Sequence, residues 1–230
     1  RDLGIRQVQN LHSRIRIELP PDTNMDLIRD RLVRVCGIAN FSLGRVLPLQ
    51  LEHPDLEALS AAAIAEINTK SFQTFRVTAK RADKRLAMTS MDIEKAVGAA
   101  ICAQTGKTVS LKAPDVTMLI ELLSKEAYCA AGKIEGPGGM PVGVSGKVAC
   151  LISGGIDSPV AAYRLIKRGC HAAFIHFSGR PLVSRASEEK VRDLVQTLTQ
   201  YQYLSRLYVV PFGEIQREIV LTAPAPFRIV

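Results

Sequence analysis

Hydrophobic and polar residues in the first part of the chain follow the order strand, helix, strand. Residues 12–19 alternate between polar and apolar types, as in a half-buried strand. The apolar residues between positions 25 and 35 recur at helical spacing, and residues 41–49 predict a second strand. This order is typical of a small α+β sandwich, so we predict a ferredoxin-like domain over residues 1–52.

Residues 53–135 carry a second set of patterns, in which amphipathic helices alternate with strands. The predicted elements are a helix over residues 56–67, a strand over 72–80, a helix over 89–106, and strands over 109–111, 116–123 and 127–134. Thr89 and Asp92 have the spacing of a capping box, which predicts where the second helix begins. Residues 136–146 are rich in glycine and proline and predict an irregular linker between domains.

Residues 147–230 alternate short apolar runs with helical patterns. The apolar runs cover residues 148–152, 172–177 and 207–212, and a helical pattern follows each of them. Strands that alternate with helices in this way pair in parallel, with right-handed crossovers. We therefore predict a Rossmann-like parallel sheet whose first strand is buried on both faces, with ligands beyond the carboxyl ends of the strands.

The first of these strands leads into the sequence Ser153-Gly154-Gly155-Ile156-Asp157-Ser158. Glycines let a ligand approach the backbone, and a helix start offers N–H groups and the positive end of the helix dipole. The alternative is a plain strand–turn–helix connection, but the flanking strand and helix are the context that a phosphate loop requires. The loop has neither the lysine of a Walker A motif nor the glycine spacing of the dinucleotide fingerprint.

Several residues near this loop have more than one predicted role. Ser158 is predicted to cap the following helix, with Pro159 at its first position. Asp157 is predicted either to cap that helix or to help organise Mg²⁺ and the phosphates. His176 ends the second strand, where it is either a buried core group or a contact of the nucleotide.

Charge and composition narrow the class of protein. The net charge is +8, and a cluster of basic residues surrounds the single acidic Asp83: Arg76, Lys80, Arg81, Lys84 and Arg85. This basic cluster is either a solvated turn or a surface for a polyanion. No apolar run reaches the ~18 residues of a membrane span. The five cysteines lack C-x-x-C spacing, which favours reduced thiols of a cytoplasmic protein over metal ligands or disulfides.

Taken together, these motifs resemble the tRNA 4-thiouridine synthetase family, also called tRNA sulfurtransferases and linked to thiamine thiazole synthesis. The resemblance rests on residues 79–84, 89–91, 133–143, 145–147 and 153–160. The glycine-rich run placed just before the Ser-Gly-Gly-Ile-Asp-Ser loop is the most specific part of the match.

The resemblance implies a ferredoxin-like domain, a THUMP domain that binds tRNA, and an incomplete ATP pyrophosphatase-type domain. It implies an enzyme that adenylylates O4 of a tRNA uridine with ATP and then transfers sulfur to give 4-thiouridine. Asp157 would be catalytic, and the basic cluster would bind tRNA. The implied ATP-binding residues are Leu151, Ile152, Ser153, Gly154, Gly155, Asp157, Ser158, His176 and Phe177. ATP and Mg²⁺ are the implied cofactors, and no metal site made by the protein alone is predicted.

The implied partners are tRNA and a persulfide-carrying sulfur donor such as a cysteine desulfurase, in the cytoplasm, with a homodimer left open. Residues are expected to be missing before Arg1 and after Val230, and no cysteine here matches the family's sulfur-bearing one. The alternative is a tRNA-binding module with a structural or vestigial nucleotide site, which the intact loop disfavours. A small-molecule synthetase with the same loop is disfavoured by the THUMP-like region.

Overall fold

The computed structural model describes residues 5, 8–11, 14–50 and 52–224, and the chain divides into two compact units. Unit 1 contains Arg1–Ala39 and Glu135–Val230, and unit 2 contains Asn40–Ile134. The strands in the described ranges are β1 (Val8–Leu11), β2 (Arg14–Ile17), β3 (Asn40–Phe41), β4 (Gly44–Pro48), β5 (Thr74–Arg81), β6 (Thr108–Val109), β7 (Val116–Leu122), β8 (Glu126–Ala131), β9 (Ile134–Glu135), β10 (Lys147–Leu151), β11 (His171–Ser178) and β12 (Arg206–Pro211). The helices are α1 (Met25–Leu32), α2 (Leu56–Ile67), α3 (Ser90–Thr105), α4 (Asp157–Lys167), α5 (Arg185–Gln202) and α6 (Gly213–Thr222).

Unit 2 is a mixed five-stranded sheet covered by α2 and α3. The strand order is β4-β8-β7-β5-β6, in which β7 is parallel to β5 and antiparallel to β8. Side chains alternate along β5, so that Phe75, Val77 and Ala79 are buried in one cluster with residues of both helices. The residues between them, such as Arg76, lie on the opposite face of the sheet.

Local sequence signals set the ends of α3. The Thr89 hydroxyl accepts a hydrogen bond from the Asp92 N–H at 3.2 Å, and the Asp92 carboxylate accepts one from the Thr89 N–H at 3.0 Å. Gly106 ends the helix in the left-handed conformation, with φ 67°. The predicted capping box and the predicted end of this helix are both confirmed.

Unit 1 contains the three-stranded parallel sheet β10-β11-β12, against which α4 and α5 pack. The predicted parallel β-α-β-α-β order is therefore confirmed, and the fold class is mixed α/β. In the register, Leu151 pairs with Ile175 and His176 pairs with Val209. This register brings the carboxyl ends of the strands together at one edge of the sheet.

The prediction that the first strand of this sheet is buried on both faces is wrong. Cys150 is buried together with Phe174 and residues of α4 and α5, whereas its neighbour Leu151 is 65% exposed. Consecutive side chains of a strand point to opposite faces, and the two helices cover the face that carries Cys150.

The N-terminal segment adds a hairpin and a helix to unit 1. β1 pairs antiparallel with β2, and α1 begins after Asn24, whose side chain accepts hydrogen bonds from two N–H groups of the first turn. The predicted strand over residues 12–19 corresponds to β2, while His12 and Ser13 lie outside the described residues. Cys36, which follows α1, is buried in the same cluster as Cys150 and Phe174.

The predicted strand over residues 41–49 is present as β3 and β4, and β4 pairs antiparallel with β8. From its place in the sequence, we predict that this strand belongs to the N-terminal domain. In the structure, backbone hydrogen bonds join β4 to the sheet of unit 2. The predicted domain boundaries after residues 52, 135 and 146 stay predictions.

The glycine-rich segment 136–146 is irregular, as predicted, but it is held by hydrogen bonds to the end of α4. The Met140 N–H donates to the Lys167 carbonyl at 2.9 Å, and the Gly143 N–H donates to the Gly169 carbonyl at 2.8 Å. The segment is therefore a fixed part of unit 1, although its composition is that of a flexible linker.

Gly139 is expected to tolerate substitution least in this segment. Its φ is +78°, and an added Cβ would lie 2.1 Å from the Lys167 carbonyl oxygen. We expect Gly139→Ala to lower the free energy of unfolding by about 3–5 kcal/mol, because backbone strain and a backbone clash add. Gly138→Ala is the matched control, since Gly138 has φ +64° and nothing within 4 Å of the added Cβ. We expect Gly138→Ala to lower the free energy of unfolding by about 1–2 kcal/mol. Denaturant unfolding measures the free energy of both variants, and equal decreases would show that the contact with the Lys167 carbonyl adds no cost.

Candidate functional site

The predicted phosphate loop lies between the end of β10 and the start of α4. The Ser153 N–H donates to the Ser158 hydroxyl at 3.0 Å, and the two serine hydroxyls are 3.2 Å apart. These contacts close the turn around the two glycines. In the described part of the chain, the N–H groups of Gly154, Ile156 and Asp157 donate no hydrogen bond. Unpaired N–H groups at the start of a helix, together with the helix dipole, are the arrangement that can hold an anion.

The predicted capping of α4 is wrong. The helix begins at Asp157, its N-cap is Ile156, and no side chain donates or accepts a cap hydrogen bond. Ser158 is the second residue of the helix and so lies past the cap position, and its hydroxyl accepts a hydrogen bond from the Ser153 N–H. Pro159 is the third residue of the helix and not the first. Asp157 is exposed beside the loop, so of its two predicted roles only the one at the phosphates remains a prediction.

His176 joins the ends of two strands. Its side chain is buried, with 7% exposure, and its Nδ1 lies 3.0 Å from the carbonyl oxygen of Ile152. A carbonyl oxygen only accepts, so Nδ1 carries the proton and donates it. His176 is therefore a satisfied buried group, and it also lines the cavity that begins at the end of its strand. The two predicted roles of His176 are compatible.

A cavity of about 290 Å³ opens at the carboxyl ends of β11 and β12. It is lined by His176, Phe177, Ser178, Gly179, Arg180, Val183, Ser184, Ser187, Glu188, Phe212 and Gln216. The Phe177 and Phe212 rings meet edge to face in its wall, with centroids 5.6 Å apart. Aromatic walls with a few polar groups are typical of a small-molecule site.

Ser178 and Glu188 form a polar pair in the cavity wall. The Ser178 hydroxyl donates to Glu188 Oε1 at 2.5 Å, and Ser178 itself is buried. This hydrogen bond is the main cause that lowers the pKa of Glu188 below its ordinary value, and the positive charge of Arg180 adds to the effect. The cavity thus contains an ionised carboxylate at neutral pH, which accepts hydrogen bonds from hydroxyl or amino groups and repels phosphate.

The loop and the cavity share structural elements. His176 connects Ile152, the residue before the loop, with the cavity wall. Helix α5 contributes Glu188 to the cavity and brings Lys190 close to Gly154 of the loop. The free N–H groups of the loop and an open cavity with aromatic rings and a carboxylate therefore share structural elements. These are the two kinds of surroundings that the phosphates and the nucleoside of a nucleotide require.

The structure brings together most of the predicted ATP-binding residues. The loop holds Ser153, Gly154, Gly155, Asp157 and Ser158, and the cavity wall holds His176 and Phe177. Leu151 and Ile152 lie just before the loop, but Leu151 points to an exposed face and Ile152 is 4% exposed. Whether each of these residues binds ATP stays a prediction.

Sequence reasoning missed the other polar residues of the cavity. Ser178 directly follows the predicted strand, so the rule that ligands lie beyond strand ends could have found it. Glu188 and Gln216 lie on helices and reach the cavity only through the tertiary fold, and no local pattern marks them.

The predicted basic cluster is not a set of equivalent free cations. Arg76 reaches the Leu111 carbonyl at 3.3 Å and the Thr117 hydroxyl at 3.5 Å. Arg81 donates to the Met88 carbonyl at 2.7 Å. Both arginines are therefore directed toward other residues of unit 2 and are not free surface cations.

The three remaining basic residues are exposed. Arg85 pairs with Asp83 at 2.7 Å, and its hydrogen bonds lower the pKa of Asp83 to about 2. Lys80 and Lys84 are exposed and form no hydrogen bond or ion pair in the described part of the chain. They are the members of the cluster most available to a polyanion.

Comparison with known proteins connects these features. Residues 143–230 match the family model of the thiamine biosynthesis protein ThiI, and residues 52–129 match the THUMP domain. A "Probable tRNA sulfurtransferase" of Thermus thermophilus is 44% identical over 200 residues, which cover 87% of this chain and 48% of that protein. A protein of the same name from Moorella thermoacetica is 38% identical over 225 residues, 97% of this chain and 56% of that protein. The chain belongs to the tRNA sulfurtransferase family.

The chain spans about half the length of these curated relatives. Among solved structures, a 4-thiouridine synthetase in complex with RNA and bound ATP is similar, with a TM-score of 0.86 and 28% identity, over 98% of this chain and 58% of that chain. The protein PH1313 of Pyrococcus horikoshii gives a TM-score of 0.77 at 26% identity, over 95% of this chain and 72% of that chain. In this member of the tRNA sulfurtransferase family, the phosphate loop and the cavity lie within the residues that match the ThiI model. The basic cluster lies within the residues that match the THUMP domain.

The cysteines of this family member are all unpaired. Burial raises the pKa of Cys36 and Cys150, and it raises the pKa of Cys129 to about 12. A thiol with a raised pKa is a poor nucleophile at neutral pH, and these three side chains are buried in hydrophobic clusters. Cys102 and Cys170 are half-buried.

Among the residues that the structure describes, no group of three or more His, Cys, Asp or Glu side chains is close enough together to hold a metal ion. None of the helices within residues 14–50 and 52–224 has both the length and the apolar character that crossing a bilayer requires.

Arg81 is expected to order the loop that follows β5. Arg81→Met removes the hydrogen bonds to the Leu86 and Met88 carbonyls, and we expect a loss of about 1–3 kcal/mol in unfolding free energy. Hydrogen exchange of residues 82–89 should become faster. Lys84→Met is the control, because exposed Lys84 should change stability by less than about 0.5 kcal/mol. Unchanged exchange in the Arg81 variant would show that the loop is ordered by other contacts.

Proposed function

We propose that this chain is the part of a tRNA sulfurtransferase that binds tRNA and activates a tRNA uridine with ATP. The observation that carries the proposal is the phosphate loop with unpaired N–H groups beside a nucleoside-sized cavity. Membership of the tRNA sulfurtransferase family supports it. So does the likeness to a 4-thiouridine synthetase that has been solved with RNA and ATP.

In the proposed reaction, O4 of the uridine attacks the α-phosphorus of ATP, and pyrophosphate leaves. The outer sulfur of a donor's persulfide then attacks C4 and displaces AMP, which leaves the donor joined to the uridine by a disulfide bond. A second thiol attacks the donor sulfur of that bond, which releases 4-thiouridine and leaves the donor as a disulfide. The loop N–H groups and the dipole of α4 stabilise the negative charge that develops on the phosphates. The ionised Glu188 and the aromatic rings of the cavity suit a nucleoside, whose hydroxyl and amino groups donate hydrogen bonds.

Mg²⁺ fits this site through one carboxylate. Magnesium sites in phosphoryl-transfer enzymes use one or two carboxylates together with the substrate's phosphates. Asp157 is exposed at the first residue of α4 and is not used as a cap, so its carboxylate is available at the phosphate site. Bound there, Mg²⁺ would neutralise phosphate charge.

The THUMP domain is proposed to hold the tRNA, chiefly through Lys80, Lys84 and Arg85. A cytoplasmic location and a separate persulfide donor complete the proposal. Cys36, Cys129 and Cys150 lie in hydrophobic cores, where a thiol is poorly placed to carry a persulfide. The identity of that donor and a homodimeric state stay predictions.

Asp157→Asn tests the ATP half of the proposal. We expect ATP–pyrophosphate exchange to fall by at least about 100-fold, since the Mg²⁺ ligand is lost. The unfolding free energy should hardly change, because Asp157 makes no cap hydrogen bond. ATP–pyrophosphate exchange is measured with and without tRNA. The control is Asp22→Asn, because Asp22 is an exposed aspartate in a turn of unit 1. Normal exchange in the Asp157 variant would exclude the assigned role.

Lys80→Ala combined with Lys84→Ala tests the RNA half. Each lost phosphate contact should flatten the log–log salt slope of tRNA binding by about 0.7–0.9. Of the two single variants, Lys84→Ala should flatten the salt slope more than Lys80→Ala. The reason is that the carboxylate residue Glu121 lies opposite Lys80 on the neighbouring strand. Lys112→Ala is the control, since exposed Lys112 precedes β7 at the other end of the sheet. An unchanged affinity and slope in the double variant would rule out this surface.

A further inference from the structure

Helix α5 brings a lysine side chain against the phosphate loop. An ideal Cβ on Gly154 would lie 3.4 Å from Cδ of Lys190 and 4.0 Å from its Cγ and Cε. The aliphatic stem of Lys190 therefore runs along the backbone at the first glycine of the loop. Its Nζ is one bond beyond Cε, so the ammonium lies within about 5.5 Å of the same point.

Lys190 has no partner in the part of the chain that the structure describes: its ammonium forms no ion pair and no hydrogen bond there. The neighbouring carboxylates on α5 are engaged elsewhere, since Glu188 accepts from Ser178 and Glu189 pairs with Arg185 at 3.3 Å. Lys190 thus offers an exposed positive charge that no carboxylate of the described residues neutralises.

The loop itself contains no cation. In a Walker A loop, the lysine after the glycines reaches the β- and γ-phosphates. Residues 153–158 contain no lysine or arginine, and their one charged residue is the negative Asp157. The unpaired N–H groups supply partial charges only, so a full positive charge from another element would add to the charge that Mg²⁺ contributes in holding a triphosphate here.

We infer that Lys190 supplies, from helix α5, the phosphate-binding cation that the loop lacks. Its ammonium contacts the phosphates that the loop N–H groups hold, and Gly154 allows the stem to cross the loop without a side chain in the way. The inference rests on the proposed binding of ATP and adds a residue to that site. The loop and Lys190 are far apart in sequence, so no contiguous motif contains both.

Three substitutions separate charge from packing. Lys190→Met keeps an unbranched stem and removes the charge, Lys190→Arg keeps the charge, and Lys190→Glu reverses it. The measured quantity is the Kd of the chain for ATP and for inorganic pyrophosphate by titration calorimetry, together with the thermal unfolding temperature without ligand.

For the Met variant we expect the Kd for both probes to rise about tenfold to a hundredfold. The affinity of the Arg variant for both probes should fall by less than about fivefold, and the affinity of the Glu variant should fall more than that of the Met variant. Lys147→Met is the control, because exposed Lys147 begins β10 at the end of the strand away from the loop. Its Kd values should equal those of the wild type.

Wild-type affinity of the Met variant for both probes would overturn the inference. So would equal weakening of all three variants with a lowered unfolding temperature, since that pattern indicates packing. If the wild type binds both probes but shows no ATP–pyrophosphate exchange with tRNA, the proposed reaction fails and the order of affinities still decides the role of Lys190. If the wild type binds neither probe, the nucleotide site and this inference fail together.

Discussion

The hydrogen bond from the His176 ring to the Ile152 carbonyl fixes the ends of two parallel strands, and both parts of the candidate nucleotide site begin at those ends. It can form because β10 and β11 pair in the register that sets Leu151 opposite Ile175. A buried imidazole without a partner would cost about 1–3 kcal/mol, so the bond resists slippage of the register. The loop continues from one strand and the cavity wall from the other, which keeps the anion site and the cavity in a fixed relation.

Features that depend on neighbouring residues could be predicted from the sequence. The sequence predicts the capping box of Thr89 and Asp92 and the end of that helix at Gly106, because each depends on residues within one helical turn. The place of the phosphate loop between a strand and a helix was found for the same reason. The parallel order of the last strands followed from their alternation with helices.

Features that depend on distant residues could not be predicted. Arg76 looked available to RNA, but it contacts Leu111, which is brought close only by the fold. The place of β4 in the sequence predicts that it belongs to the N-terminal domain, whereas its pairing with β8 joins it to the sheet of unit 2. For the same reason, the sequence does not predict that Glu188 lies in the cavity wall or that Lys190 lies beside the loop. Their helix approaches the cavity and the loop only in the folded protein.

The burial of Cys36 has a consequence for the order in which the chain folds. Cys36 lies in one hydrophobic cluster with Cys150 and Phe174, although the whole of unit 2 separates them along the chain. Domains generally fold as units while the ribosome delivers them from the amino terminus. Unit 2 is continuous and can complete its sheet early, whereas the first segment of unit 1 must wait for its second segment. During synthesis, the THUMP domain is therefore expected to be complete before the nucleotide site exists.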